Sequence, residues 1–214
     1  EAYDEATGNP NFLRHYVPKI LHFVGSPAYE DNGTMVVGTA EGGMKITLYN
    51  VNDIDPDNIS VDMLNEYYFQ TMHHEFAHIL HQTKNFDPAY ERITESSYVG
   101  SDWYIKTDPT TGQTSSRSNK DAWKEGFVTA YAMSESREDF VENIAMYVTN
   151  TKEYWDNMLT EAGETGRILI QRKFDIVYEY MESTWGINLD NLRDIVLRRQ
   201  KEISRGVIDL SVIE

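Results

Sequence analysis

The chain has 214 residues and a mass of 24.7 kDa, with 40% apolar and 12% aromatic residues; that suffices for one well-buried core and is short for two. Nineteen basic against 35 acidic residues leave a formal net charge of -16, and such a surface repels nucleic acid and anionic lipid, so neither is expected as a main partner. Cysteine is absent, which excludes a disulfide framework and a thiolate zinc site and leaves His, Asp and Glu to hold any metal.

The first residues are polar and end in Gly8-Asn9-Pro10, so residues 1–14 read as a tail or linker ahead of one domain spanning the rest of 1–214. No charged-then-apolar segment opens the chain, and no run approaches the roughly 18 to 20 apolar residues that span a bilayer. Short strands are expected over Ile20 to Val24, Thr34 to Val37 and Met44 to Tyr49. Ser26-Pro27, Asp31-Asn32-Gly33 and Gly42-Gly43 punctuate them. The Gly42-Gly43 turn beside an alternating strand is a place where backbone could pass close to a ligand.

From about Val61 to Gln82 the period becomes helical, with Tyr68, Phe69, Met72, Phe76, Ile79 and Leu80 on one side. Residues 100 to 120, rich in Thr and Ser, read as a mobile surface loop. A second helix starts near Ser134 or Ser136, with Ser136 and Asp139 spaced for a capping box, and runs to about Thr149. Further helices are expected over 151–160, over 164–185 closed by Gly186, and over 189–203. Strands first and helices after predict an α+β fold: a small mixed or antiparallel N-terminal sheet, then an active-site helix and a helical C-terminal half.

Four of the six histidines fall within nine residues: His73, His74, His78 and His81. Among them His74-Glu75-Phe76-Ala77-His78 forms H-E-x-x-H. At 3.6 residues per turn, His74 and His78 project from the same side one turn apart and can share a zinc ion. Glu75 is turned about 100° from His74, beside the metal, where a base can take a proton from water held there. The bland alternative is a surface helix with solvated histidines, but the apolar Met72, Phe76 and Ile79 on the opposite side favour a buried helix.

A catalytic zinc needs a third protein ligand and an open fourth position. The pattern H-E-x-x-H-x-x-G-x-x-H fails here, because position 81 is His and position 84 is Lys. The alternative is a Glu on a second helix with an acid four residues on. Glu138-Asp139-Phe140-Val141-Glu142 supplies that pair, with Glu138 as the ligand and Glu142 as an outer hydrogen-bond partner that fixes an imidazole; the reverse assignment stays open. Asp139 points about 100° away and reads as a helix-start charge. His81 shares the metal face but sits two turns from His74, so it is expected to hydrogen-bond beside the site, although a direct ligand role is conceivable. His15, His22 and His73 lie elsewhere.

Met72 to Gln82, MHHEFAHILHQ, resembles the active-site helix of the putative zinc-binding metallopeptidase lipoproteins that accompany glycan-uptake systems in Gram-negative gut bacteria. Gly126 to Tyr147, GFVTAYAMSESREDFVENIAMY, resembles the second motif of that family, with Val141 where Ala is usual. The same block is similar to the catalytic domain of anthrax lethal factor, and Tyr131, seven residues before Glu138, is thereby implied as a hydroxyl donor to the developing oxyanion. The resemblance implies a zincin-like, gluzincin-type fold, a Zn2+ cofactor, a peptide or protein substrate, and a place outside the cytoplasm; separately, a monomer is expected. Such a place means an outer-membrane lipoprotein or periplasmic protein, anchored only through a lipid signal ahead of Glu1. Met44, Lys45 and Ile46 are expected to open an edge strand that pairs with an extended peptide. The rival reading is a zinc-containing binding protein of a glycan-uptake system that turns nothing over.

Overall fold

The computed structural model describes residues 1–31, 33–41, 44–55, 58 and 60–205. The chain falls into two compact units, one formed by residues 1–83 together with the segment from Asp190 onward, the other by Lys84–Leu189. Strands gather at the front of the chain and helices fill the rest, the expected α+β arrangement.

The first unit opens with two short helices, α1 (Ala2–Thr7) and α2 (Phe12–Tyr16), where the composition suggested a tail. Tyr3 explains why: it is 5% exposed, too large an apolar burial to leave to a frayed end. Gly8, at φ 63°, closes α1 in the left-handed conformation that glycine adopts without strain. Asp4 then accepts a hydrogen bond from the Leu13 amide, tying the two helices together.

The strands β1 (Ile20–Phe23), β2 (Ala28–Tyr29), β3 (Met35–Val36), β4 (Gly38–Glu41) and β5 (Lys45–Leu48) come next in the chain. β2 and β3 form an antiparallel ribbon. The main sheet has the order β1-β5-β4, with β1 parallel and β4 antiparallel to β5. β5 is therefore the middle strand, and Ile46, Thr47 and Leu48 are all buried, so the apolar-polar alternation of 44–49 does not mark a solvent face. The Gly42-Gly43 turn lies outside the described residues.

The long helix begins where Ser60 caps it by accepting from the Met63 amide. It runs as α3 (Val61–Leu64), a π turn (Asn65–Phe69) and α4 (Gln70–Thr83). The π turn inserts an extra residue and so rotates α4 about the helix axis relative to α3, a device common beside functional sites. Tyr68, Phe76, Ile79 and Leu80 of the expected apolar face are buried, while Phe69 and Met72 are half-buried. β4 packs closely on this helix: a Cβ on Gly38 would stand 2.5 Å from Thr71 Cγ2. On the same unit, Tyr3 packs edge-on against Phe76 at 4.6 Å.

In the second unit, residues 100 to 120 lie largely on the surface, as expected, but carry regular structure. β6 (Ile105–Thr107) and β7 (Thr114–Ser116) form an antiparallel hairpin, and Asp108 holds its turn by accepting from the Thr110 and Thr111 amides. α5 (Asn119–Lys124) starts at a full capping box between Ser118 and Asp121. The box expected at Ser136 is absent: α6 (Ser136–Thr149) begins after Glu135 with no side-chain cap. α7 (Lys152–Glu161) and α8 (Gly163–Trp185) complete the unit, and Gly186 closes α8 at φ 68°. α6 is buried from Asp139 to Thr149, so it is the core helix of this unit. α9 (Leu189–Ser204) returns the chain to the first unit from Asp190 on, and its Arg198 and Arg199 pair with Glu5 of α1 and with Glu1 just ahead of it.

Candidate metal centre

α4 carries the H-E-x-x-H residues in its middle, with His74 and Glu75 buried and His78 half-buried. Helical spacing brings His74 Nε2 and His78 Nε2 to 3.1 Å of each other. Two nitrogens bound tetrahedrally to one zinc at about 2.0–2.1 Å stand about 3.3 Å apart, so this spacing fits a shared ion. Behind them, His78 Nδ1 lies 2.9 Å from His81 Nε2. His81 thus meets the far nitrogen of a candidate ligand, the contact that fixes tautomer and ring direction in metal sites. His73 takes the other side of the helix, with Nδ1 3.0 Å from the Tyr3 hydroxyl; burial pushes it down to about 4, so it is neutral at pH 7.

The first two turns of α6 supply the carboxylates. One oxygen of Glu138 and one ring nitrogen of each of His74 and His78 all lie within 4.8 Å of one another, a group that could hold a metal ion. The donor set suits zinc: two imidazoles and a carboxylate, with no thiolate required. Glu142, one turn on, is 5% exposed and accepts a 2.6 Å hydrogen bond from the Thr129 hydroxyl. The same Thr129 oxygen accepts from the Ala132 amide at 3.1 Å. Thr129 therefore fixes both a buried carboxylate and the short 3-10 turn Tyr131–Met133. Nothing in the sequence marks it, since a lone Thr thirteen residues from its partner carries no periodic signal.

Tyr131 is 38% exposed, so it is not a core aromatic. Its ring stands nearly perpendicular to that of Trp103 at 5.2 Å, an edge-to-face contact that limits the directions its hydroxyl samples.

Two expectations are corrected. Met44, Lys45 and Ile46 do not open an edge strand, because β5 already has a partner on each side and Ile46 is 1% exposed. Its backbone groups are spent on β1 and β4, and the edges of this sheet are those two strands. Asp139 does lie in the first turn of α6, but it is no solvent-facing charge there: it is fully buried, 2.6 Å from Lys173 Nζ, and accepts from the Tyr98 hydroxyl at 2.8 Å. Burial weighs against both charges of that pair, pushing the Asp139 carboxyl up and the Lys173 ammonium down.

Comparisons with known proteins point to the same metal. Residues 1–190 match the family model described as putative zinc-binding metallo-peptidase. The chain is similar to a putative zinc-binding metallo-peptidase from Bacteroides caccae ATCC 43185, known from its crystal structure. The two are 43% identical, with a TM-score of 0.77 over 100% of this chain and 75% of that one. No curated protein matches the chain. With nearly the whole sequence matched, and a His-His-Glu group in the folded chain suited to the metal in that description, this protein belongs to the family of putative zinc-binding metallo-peptidases.

Proposed function

We propose that the protein is a zinc peptidase of the gluzincin type, in which His74, His78 and Glu138 hold the ion and Glu75 is the general base. The observation that carries this reading is the approach of those three ligand atoms to within 4.8 Å, with Glu75 next in sequence to one ligand and 6% exposed. Zinc, when bound, supplies a Lewis acid that polarises the scissile carbonyl and acidifies water. Glu75 takes the proton of the attacking water and passes it to the leaving amine, in a setting dry enough to favour a shared proton. Tyr131 donates its hydroxyl to the carbonyl oxygen as charge gathers there, a directional contact of about 3 kcal/mol in comparable sites. His81 and Glu142 orient the ligands through hydrogen bonds.

The substrate in this reading is an extended peptide, and β4 takes the place first given to residues 44–49. β4 is an edge of the sheet and packs on the helix that bears the histidines, so a peptide added along it would lie beside them. The protein as isolated should contain about one zinc per chain, and Glu75→Gln should keep the metal while cleavage of a denatured protein substrate drops about 100-fold or more. A Glu75→Gln protein that cleaves at the wild-type rate rules out the base assignment.

A further inference from the structure

We propose that Lys173 is a positioning residue, whose buried ammonium sets the register between the helix bearing Glu138 and Glu142 and the turn bearing Thr129 and Tyr131. The roles of those four groups rest on the function proposed above; the clamp itself stands on geometry within residues 84–189. Lys173 projects from the middle of α8 and is 0% exposed. Nζ lies 2.6 Å from Asp139 Oδ2, the residue directly after Glu138. It also donates to the Gly126 carbonyl at 2.9 Å and sits 3.6 Å from the centroid of the Phe127 ring. One cation therefore touches α6 and the start of the segment that leads within a few residues to Thr129 and Tyr131, and Thr129 closes the loop by bonding Glu142.

Two glycines let α8 come this close. Gly126, at φ +91°, would place a Cβ 2.5 Å from Leu169 Cβ, and Gly166 would place one 2.1 Å from the Trp123 carbonyl oxygen. The acceptor on the turn and the donor on α8 are thus held together by backbone approach rather than by a long flexible reach. A buried ion pair is a poor way to gain stability, because well-packed apolar residues of similar volume do as well or better. What the pair adds is direction: Asp139 also accepts from Tyr98, and Asn143 donates to the Asp139 carbonyl and to the Tyr90 hydroxyl. The helix is therefore held in rotation as well as in place, which an apolar contact would not do.

Lys173→Met alone strands a buried carboxylate and risks unfolding, so the deciding variant is Lys173→Met with Asp139→Asn, which buries no charge and keeps an acceptor for Tyr98. Amide hydrogen exchange over residues 127–132 should speed at least tenfold, while the amides of α6 and α8 stay protected. Cobalt affinity, read from the visible spectrum of the cobalt-loaded protein, should weaken about tenfold. The kcat for a cleaved peptide should fall while KM stays within twofold. A folded double variant with wild-type exchange and wild-type cobalt affinity would overturn the proposal, as would a double variant that does not fold, since Lys173 would then be needed for folding itself. Wild-type protein that takes up no cobalt would instead refute the zinc reading, and the exchange measurement would still decide about Lys173.

Discussion

Thr129→Val separates hydrogen bonding from packing in the candidate site. Valine keeps the branched shape and the χ1 restriction of threonine, so the pocket stays filled. Two interactions disappear: the 2.6 Å donation to Glu142 and the acceptance from the Ala132 amide. A hydrogen bond to a charged group contributes about 1.5–3 kcal/mol, and a stranded buried amide costs about 1–3 kcal/mol. Because one hydroxyl serves both, the two figures overlap, and a loss of about 3 kcal/mol is expected. At about 2–4 °C per kcal/mol for a chain of this size, Tm should fall by about 6–12 °C. Thr129→Ser keeps both bonds and loses one methyl group, about 1 kcal/mol. Thermal unfolding measured by circular dichroism should therefore rank the wild type first, Ser second and Val last, although Val is the more apolar substitute. Equal or higher stability for Val would show that the hydroxyl adds nothing and that Glu142 is held by other groups.

Three further outcomes are expected. Replacing His81 by Phe removes the partner of His78 Nδ1 and should weaken zinc binding about 10- to 100-fold in a chelator competition; unchanged affinity would remove His81 from the site. Gly166→Ala places a methyl 2.1 Å from a backbone oxygen that cannot swing aside, and urea unfolding should show a loss of about 1–3 kcal/mol despite the gain of about 1 kcal/mol in helix propensity. Hydrogen bonds from Lys106 and then Ser118 hold the Asp121 carboxyl well below the usual carboxylate range. With the folded value depressed, the stabilisation is present above the unfolded value near 3.9 and is lost as pH falls below it. Asp121→Asn should flatten the acid limb of the stability profile below about pH 4; an unaltered limb would contradict that assignment.

The motif-bearing helices are legible because their signals are local. His74 and His78 one turn apart, Glu138 and Glu142 one turn apart, and the closing Gly186 need only the period of a helix to be read, and the start of α6 at Ser136 and its end at Thr149 match the reading from sequence. Failures come where a distant partner decides. Tyr3 turns a polar opening into a helix because Phe76 and His73 receive it. Asp139 looks like an ordinary first-turn acid until Lys173 appears across the unit. The alternation of Met44 to Tyr49 predicts a half-exposed strand, yet β1 and β4 take both its edges and the successive residues Ile46, Thr47 and Leu48, which point to alternate faces, are all buried. The capping box went to Ser118 rather than Ser136, two sites with the same local pattern, because Glu135 in extended conformation already leads into α6.

The division of the chain into one unit made from both ends and another made from Lys84–Leu189 has a consequence for synthesis. A nascent chain leaving the ribosome has all of the continuous unit in hand once Leu189 emerges. The unit built from both ends, which includes the histidine helix, must wait for α9, whose arginines reach back to Glu1 and Glu5. Closing a loop of nearly the whole length costs entropy that only late contacts repay. The imidazole-bearing half therefore matures last, and an arrested chain ending near residue 190 should protect the carboxylate-bearing half from protease while leaving the other half open to it.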